Sequence, residues 1–576
     1  MIDEGNLQDR AAHEMSRRKM LQVLGVGAGA TAAAALSGDP VYAATQGFDD
    51  RLGVTAATYA PPTKVAKPSS AKDIALDWID GSRSSITDLS DQIWEFAELS
   101  LREWDSSLAT ADLLRSHGFT IRWGTAGLPT AFVATYSQGH GGPTLGFNAE
   151  CDALPGLSQK KGVPIHDPLN YNYDAYGPTY GPGHGDAHNT LGAASVGAAI
   201  AVSKAIKKKR LNATIKVFSS AGEEQLVGKA YAVKAGAYRD LDAFLDWHPT
   251  SVTSTGWGTN SALLSATFTF LGSAGHGGSP LGNKSGLDGA LLMATMTEFL
   301  REKNVAASGR FHYAVINGGG APNVTPDMCS IWYYVREGSP ARVNVLYGKI
   351  LACAQAAASA SQTTLQYRMN SAIWNTLGNK AGAELMYDNM QQIGPTEFTA
   401  ADQTLAKAVQ ASLGKPQVGM NSTIFPLTPP NPTFLGGASS DTADVSWQTP
   451  KISCVTPTWP PGTPNHNWAA TATAATNIAH QALLSASRYL AGTAIDLITQ
   501  PTVLAAIRQE FHDRTAGITW NSLIPDGTQP PIYQPPASFL RKTGQAWPPP
   551  GITWPVPSLI SREKLGTDGP PLPPVT

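Results

Sequence analysis

The chain runs to 576 residues, too long for one compact core at about 100–200 residues per domain. Hydrophobic residues make up 42% and charged residues only 15%, against roughly 25% in an ordinary soluble domain, and 56 glycines with 42 prolines imply many turns. Lysine plus arginine (42) balance aspartate plus glutamate (44), which excludes a bulk attraction to nucleic acid, and four cysteines without a C-x-x-C pair exclude a disulfide scaffold.

The N-terminal segment 1–43 stands apart. Ser16-Arg17-Arg18-Lys19 precedes an Ala/Gly-rich apolar run from Leu21 to Leu36, and Val41-Tyr42-Ala43 offers small residues at a cleavage position. The run falls short of the roughly twenty apolar residues that span a bilayer. It predicts a twin-arginine export signal and a periplasmic or secreted protein, rather than a membrane anchor. No later segment approaches eighteen uninterrupted apolar residues, so the mature chain is expected outside the membrane.

Residues 44–70 read as a polar linker. From about Ala71, helical spacing (Trp78, Ile79, Ile86, Leu89, Ile93, Trp94, Ala97) gives way to apolar strands over 130–137 and 144–148. A small-residue helix is predicted over 190–208, a strand over 213–219, a helix over 224–235 and a strand over 242–247. Strands separated by helices predict an α/β unit with a mainly parallel sheet and helices on both faces. The next stretch changes pattern, with strands over 261–271, 311–317, 328–336 and 363–368 and helices over 285–302 and 341–360. That β-α-β-β-α-β order predicts a ferredoxin-like α+β domain inserted over 258–371, between catalytic segments 71–257 and 372–520. The Pro-rich tail 521–576 cannot build a core alone, and is expected to lie over the main domain or stay disordered.

Four strings concentrate His, Asp and Glu at the ends of predicted strands, where an open α/β sheet presents its site. They are Gly183-His184-Gly185-Asp186-Ala187-His188-Asn189, Gly222-Glu223-Glu224, Asp246-Trp247-His248-Pro249 and Thr463-Pro464-Asn465-His466. A lone His of this kind more often caps a turn than binds a metal, but four clusters spaced by whole βα units point to metal ligation. Adjacent Glu223 and Glu224 point in different directions, so one can ligate while the other faces a water as general base. The simpler reading of that pair is an acidic helix N-terminus.

Together with Ala149-Glu150-Cys151-Asp152-Ala153-Leu154-Pro155, Ala274-Gly275-His276, Ala321-Pro322-Asn323 and Ser440-Asp441-Thr442, these strings resemble the dinuclear metallopeptidase and amidohydrolase family of carboxypeptidase G and the bacterial aminoacylases. The resemblance covers residues 75–515 and is strongest to the p-aminobenzoyl-glutamate hydrolase branch. It implies two divalent metal ions, zinc foremost with manganese or cobalt as alternatives, held by Asp186 as bridge and by His188, Glu224, His248 and His466. It implies Glu223 as catalytic base, His276 as oxyanion donor acting in the neighbouring subunit, and Asn323 with Arg336 on the substrate carboxylate. It further implies a homodimer formed through the inserted lid domain. The substrate would be a small amide, an N-acyl or aryl-acyl amino acid with a free carboxylate. The alternatives are a broader dipeptidase or carboxypeptidase, and an exported binding protein that has lost catalysis.

One departure stands out. The branch carries Cys-Gly-His where this chain has Asp186-Ala187-His188, which makes the ligand set all oxygen and nitrogen and puts the loop path in question at Ala187. Glu150 occupies a position where distant relatives place a ligand His. It is expected behind the ligands with Asp152, which would orient an imidazole. Tyr171, Tyr173, Tyr176 and Tyr180 offer an aromatic wall for an aryl substrate, or simply pack their Gly/Pro loop.

Overall fold

A computed structural model describes residues 64–169, 171–174, 177–430 and 437–553. The export segment, most of the linker, Tyr176 and the last part of the tail lie outside the described residues.

The chain enters through three helices, α1 (Ser70–Gly81), α2 (Arg83–Phe96) and α3 (Trp104–Ser116). Strands β1 (Thr120–Trp123), β2 (Phe132–Gln138) and β3 (Thr144–Glu150) follow, then a hairpin, β4 (Tyr171–Asp174) and β5 (Gly177–Tyr180). Helix α4 (His188–Lys209), strand β6 (Ala213–Ser220), helix α5 (Gly228–Lys234), strand β7 (Ala243–Thr250) and short β8 (Ser254–Thr255) complete the first segment. One further strand, β13 (Lys451–Pro457), joins them from the second segment. The central sheet has the order β1-β2-β6-β3-β7-β13-β8. Its middle is parallel (β6 with β3, β3 with β7, β7 with β13), and β1, β2 and β8 add antiparallel edges.

Helix α4 explains why the sheet centre is sealed. Its small side chains, from Leu191 through Ala193, Ala194, Val196, Ala198 and Ala199 to Ile206, are fully buried, so neighbouring backbones approach closely on several sides. It packs on the sheet and against α1, α2 and α12 (Asn477–Thr499). Its last turn carries Lys207, Lys208 and Lys209, which complement the helix dipole.

Between the two segments lies a four-stranded antiparallel sheet with α6 (Gly286–Asn304) and α7 (Pro340–Ser361) packed on it. Its strands are β9 (Ala262–Leu271), β10 (Arg310–Asn317), β11 (Met328–Glu337) and β12 (Thr364–Ile373), in the spatial order β10-β11-β9-β12. The chain order β9-α6-β10-β11-α7-β12 is the predicted ferredoxin-like order. The insert does not close a core by itself, however. Its apolar cluster takes in Leu101, Leu226, Val227 and Tyr231 from the first segment and Ile524 and Ile532 from the C-terminal stretch.

After the insert come α8 (Lys380–Ile393), α9 (Ala400–Ser412), the single turn α10 (Thr442–Val445), β13, α11 (Trp468–Thr473), α12 and α13 (Pro501–Thr515). The C-terminal stretch is then a strap. Gln529 O accepts from Tyr231 Oη (3.2 Å) and from Arg368 (2.8 Å), tying the catalytic segment to β12. Helix α14 (Ala537–Thr543) buries Phe539 edge-on against Trp104 and Trp123. The Pro-rich composition therefore marks an arm laid over both units as far as residue 553. Among the described residues no single helix is long and apolar enough to cross a membrane.

Candidate metal centre

The C-terminal ends of the parallel strands carry the predicted strings. After β3, Asp152 is fully buried and its Oδ1 lies 3.0 Å from His188 Nδ1. That contact fixes the imidazole of His188, the first residue of α4, so that Nε2 faces Glu150 Oε2 (3.5 Å), Asp186 Oδ2 (3.8 Å) and Glu223 Oε2 (3.9 Å). At the end of β7, His248 Nδ1 sits 2.9 Å from the carbonyl of Pro249, which leaves Nε2 facing Asp186 Oδ2 at 3.5 Å. His466 arrives from the segment after β13, its Nε2 3.4 Å from Asp186 Oδ2 and 3.6 Å from Glu224 Oε2. Asp186 is thus the common neighbour of three imidazoles.

Local backbone chemistry puts these groups there. At Gly183 a Cβ would meet the carbonyl of Leu157 at 2.1 Å, so only glycine fits where this loop pairs with Leu154. Ala187 answers the loop-path question: it adopts φ 54°, the left-handed conformation that a glycine takes freely, with its Cβ fully buried. Leu226 (φ 59°) and His466 (φ 52°) are left-handed as well. Three such non-glycine residues around one cluster store backbone strain of order 1–3 kcal/mol each, a pattern associated with functional sites.

The glutamate pair departs from expectation. Helix α5 begins at Gly228, four residues after Glu224, because Leu226 breaks the helical path. Glu223 and Glu224 therefore sit in a turn rather than on a helix N-terminus. The turn is held at three points: Gly222 N donates to Glu103 Oε1 (2.7 Å), Glu224 N to Asp152 Oδ2 (3.0 Å), and Tyr334 Oη to the Glu224 carbonyl (2.7 Å).

The electrostatics are those of crowded carboxylates. Burial opposes ionisation of Asp186, yet His248, His466 and His188 hold its carboxyl far below the usual range. Burial raises Glu224 to about 7, and burial with the charges of Glu150 and Asp441 pushes Glu223 well above the carboxylate range. Burial alone would lower His466, but Glu224 and Asp186 raise it to about 9.

Divalent cations fit this set. Three clusters bring one ligand atom each within 4.8 Å of the others: Asp186 with His188 and His248, Asp186 with Glu224 and His466, and Glu150 with His188 and Glu223. Glu150 Oε2, Asp186 Oδ1 and His188 Nε2 are buried without any hydrogen-bond partner, an arrangement costly in a protein interior unless a cation completes it. Replacing Asp152 by Asn is expected to weaken metal affinity about 10- to 100-fold, because His188 loses its orienting carboxylate. Calorimetric titration with zinc checks this, and an unchanged affinity would mean that His188 is held by other contacts.

A cavity of about 600 Å³ opens from the cluster toward the inserted sheet. Asp186, Glu223, Glu224, His248, His466 and Arg336 all line it, while His188 sits behind them. His276 and Asn323 do not reach it. Both are exposed and lie beside each other, Gly277 N donating to Asn323 O (2.8 Å) and His276 Nδ1 accepting from Gly278 N (2.9 Å). Tyr180 stacks edge-on with His166, outside the cavity lining. His184 is a structural residue, its Nε2 2.9 Å from the carbonyl of Ile93.

Sequence reasoning missed several groups. Lys229 is fully buried between Glu150 (2.8 Å) and Asp441 (2.7 Å). A lone lysine in an otherwise apolar helix start was the available signal. Arg310 and His312 line the cavity, and nothing in the alternation of their strand sets them apart from solvent-facing charges.

Imidazoles gathered around buried carboxylates on the C-terminal rim of a mainly parallel sheet, roofed by an inserted antiparallel domain, define a metallohydrolase. No family model matches the sequence. The chain is 31% identical over 479 residues to one of the subunits of p-aminobenzoyl-glutamate hydrolase of Escherichia coli (strain K12), across 79% of this chain and 97% of that protein. It is 27% identical to Xaa-Arg dipeptidase of Mus musculus, across 76% of this chain and 91% of that protein. Among solved structures, an aminobenzoyl-glutamate utilization protein from Klebsiella pneumoniae has 18% identity and a TM-score of 0.45, covering 71% of this chain and 97% of that one. The chain belongs to the dinuclear metallopeptidase and amidohydrolase family, as a homologue of p-aminobenzoyl-glutamate hydrolase. It is a metal-dependent hydrolase of C–N amide bonds.

Proposed function

We propose that the enzyme cleaves N-acyl or aryl-acyl amino acids, p-aminobenzoyl-glutamate-like, to an acid and a free amino acid. The observation that carries this reading is Arg336, a guanidinium facing the cluster across the cavity with its Nε buried and unpartnered. A planar fork of donors matches a substrate carboxylate bidentately. The name of the Escherichia coli relative agrees with such a substrate.

Asp186, His188, Glu224, His248 and His466 would hold two divalent cations, zinc foremost with manganese or cobalt as alternatives. When bound, such ions supply Lewis acidity toward the amide carbonyl and acidify a water. Glu223 takes the proton of the attacking water and returns it to the leaving nitrogen, and Arg336 fixes the free carboxylate so that the amide meets that water. His276 and Asn323 act from a second copy of the chain. In support, the insert leaves β10 at a sheet edge carrying exposed Val315 and Ile316, and Leu291 and Phe299 of α6 and Val324 are exposed elsewhere on the same insert. A solution mass of a single chain at micromolar concentration would overturn the dimer. Arg17-Arg18 before the apolar run supports export of the folded protein.

The test of function is a panel of N-acyl amino acids, their amides and plain dipeptides, presented to metal-reconstituted protein with products weighed by mass spectrometry. Cleavage only of substrates with a free carboxylate is the expected result. Equal cleavage of amidated substrates would replace this reading with a broader peptidase.

A further inference from the structure

The inserted sheet reaches the glutamate turn directly. Strand β11 pairs with β10 on one side and β9 on the other, which sets Tyr334 opposite His312 and Ser265. Arg336 lies two residues further along the same face, with Arg310 opposite it, and Tyr334 and Arg336 both line the cavity. Strand β12 joins this row through a bulge. Met369 pairs with Ala266 and Ser371 with Ser265, so Asn370 is the extra residue. Residues two apart in a strand normally share a face, but here the bulge turns Ser371 onto the face of Ser265 and Tyr334.

Both hydroxyls end on one turn. Tyr334 Oη donates to the carbonyl of Glu224 (2.7 Å), and the fully buried Ser371 donates its Oγ to the carbonyl of Leu226. Leu226 is the left-handed residue that delays the start of α5, and its N–H bonds back to the carbonyl of Glu223 (2.6 Å). On the opposite side the amides of Gly222 and Glu224 are fixed by Glu103 and Asp152. The catalytic segment therefore holds N–H groups of the turn, and the insert holds its carbonyls. A strained turn persists only while its surroundings over-determine it. Tyr231 Oη of α5 returns a bond to the carbonyl of Asn370 (3.2 Å), the extra residue of the bulge.

We propose that Tyr334 and Ser371 are positioning residues, which hold Glu223 and Glu224 in register with the carboxylate anchor Arg336 through the inserted sheet. This goes beyond the hydrolysis reading and rests on it for the roles of those three residues. A carboxylate seated on Arg336 and the base that serves its amide are then spaced by one strand, β11. The competing role is a seam, in which the two hydroxyls only join the insert to the catalytic segment.

Tyr333 supplies the control. It is the next residue along β11, on the opposite, fully buried face, with its Oη 3.0 Å from Thr297 Oγ1. Tyr333→Phe and Tyr334→Phe each remove one hydroxyl from the same strand, and only the second can release the turn. In calorimetric titration of metal-free, full-length protein, zinc affinity is expected to fall about tenfold in Tyr334→Phe, because Glu224 loses its support. Ser371→Ala should act in the same sense, and Tyr333→Phe should stay within about twofold of wild type. Affinity, unlike stoichiometry, does not depend on the fraction folded. With zinc-saturated protein and N-benzoyl-glutamate, kcat of Tyr334→Phe should fall about 10- to 100-fold, the effect of misplacing a reacting group by about 1 Å. KM should stay within about threefold, since Arg336 is untouched. Zinc affinity unchanged in Tyr334→Phe, or lowered as much in Tyr333→Phe, overturns the proposal and leaves the seam. A loss confined to KM overturns it too, by making Tyr334 a substrate contact. Failure of the hydrolysis reading would appear as a wild type without turnover, and the zinc titrations would still judge the two hydroxyls.

Discussion

Exchange of Glu223 for Gln is expected to lower kcat by roughly 10²–10⁴-fold, the range for loss of a positioned general base. Gln keeps the volume and hydrogen bonding of the side chain but cannot take a proton. Glu223 lies in the turn pinned by Glu103, Asp152 and Tyr334, so the substitution leaves the ligands' scaffolding in place. Both ions should remain in the variant by elemental analysis. That second measurement is decisive, because Glu223 Oε2 also lies 3.9 Å from His188 Nε2, within reach of a shared cation. Loss of one ion on substitution would make Glu223 a ligand, and unchanged kcat would remove it from catalysis altogether.

Replacement of Lys229 by Met is expected to destabilise the protein by about 3–5 kcal/mol, the cost of leaving buried charges without their partner. Burial pulls the lysine toward neutrality, yet Asp441 and Glu150 outweigh it and hold the ammonium well above its ordinary range. Removing it strands two buried carboxylates, one of them at the back of the metal cluster. The shift should appear in the urea midpoint of the metal-free protein. A second change, Asp441→Asn, should recover part of the loss, because it removes one stranded charge. A shift below about 1 kcal/mol in Lys229→Met would show that water or a relaxed backbone neutralises the pair.

The fold, and the residues gathered at the candidate site, were legible where the pattern was local. The switch from helix-strand alternation to β-α-β-β-α-β announces the insert, and the His/Asp/Glu strings fall at strand ends that the structure gathers around Asp186. What the sequence hid was set by contacts between distant segments. The start of α5 could not be read, because a left-handed Leu226 is dictated by packing against the insert rather than by propensity. The Pro-rich strap gave no periodicity, and its order comes from carbonyls that meet Tyr231, Lys234 and Arg368. Arg310 was invisible for the same reason: a cross-strand partner is not adjacent in sequence.

The placing of β13 bears on how the chain is made. This strand fills the slot between β7 and β8, yet it is translated only after the whole insert. At about 5–20 residues per second, the edge of β7 waits roughly 10–40 s on the ribosome without its partner. An open, apolar strand edge is a template for mispairing over that interval. His466 emerges later still, so a cation site that includes it would be completed only near the end of synthesis.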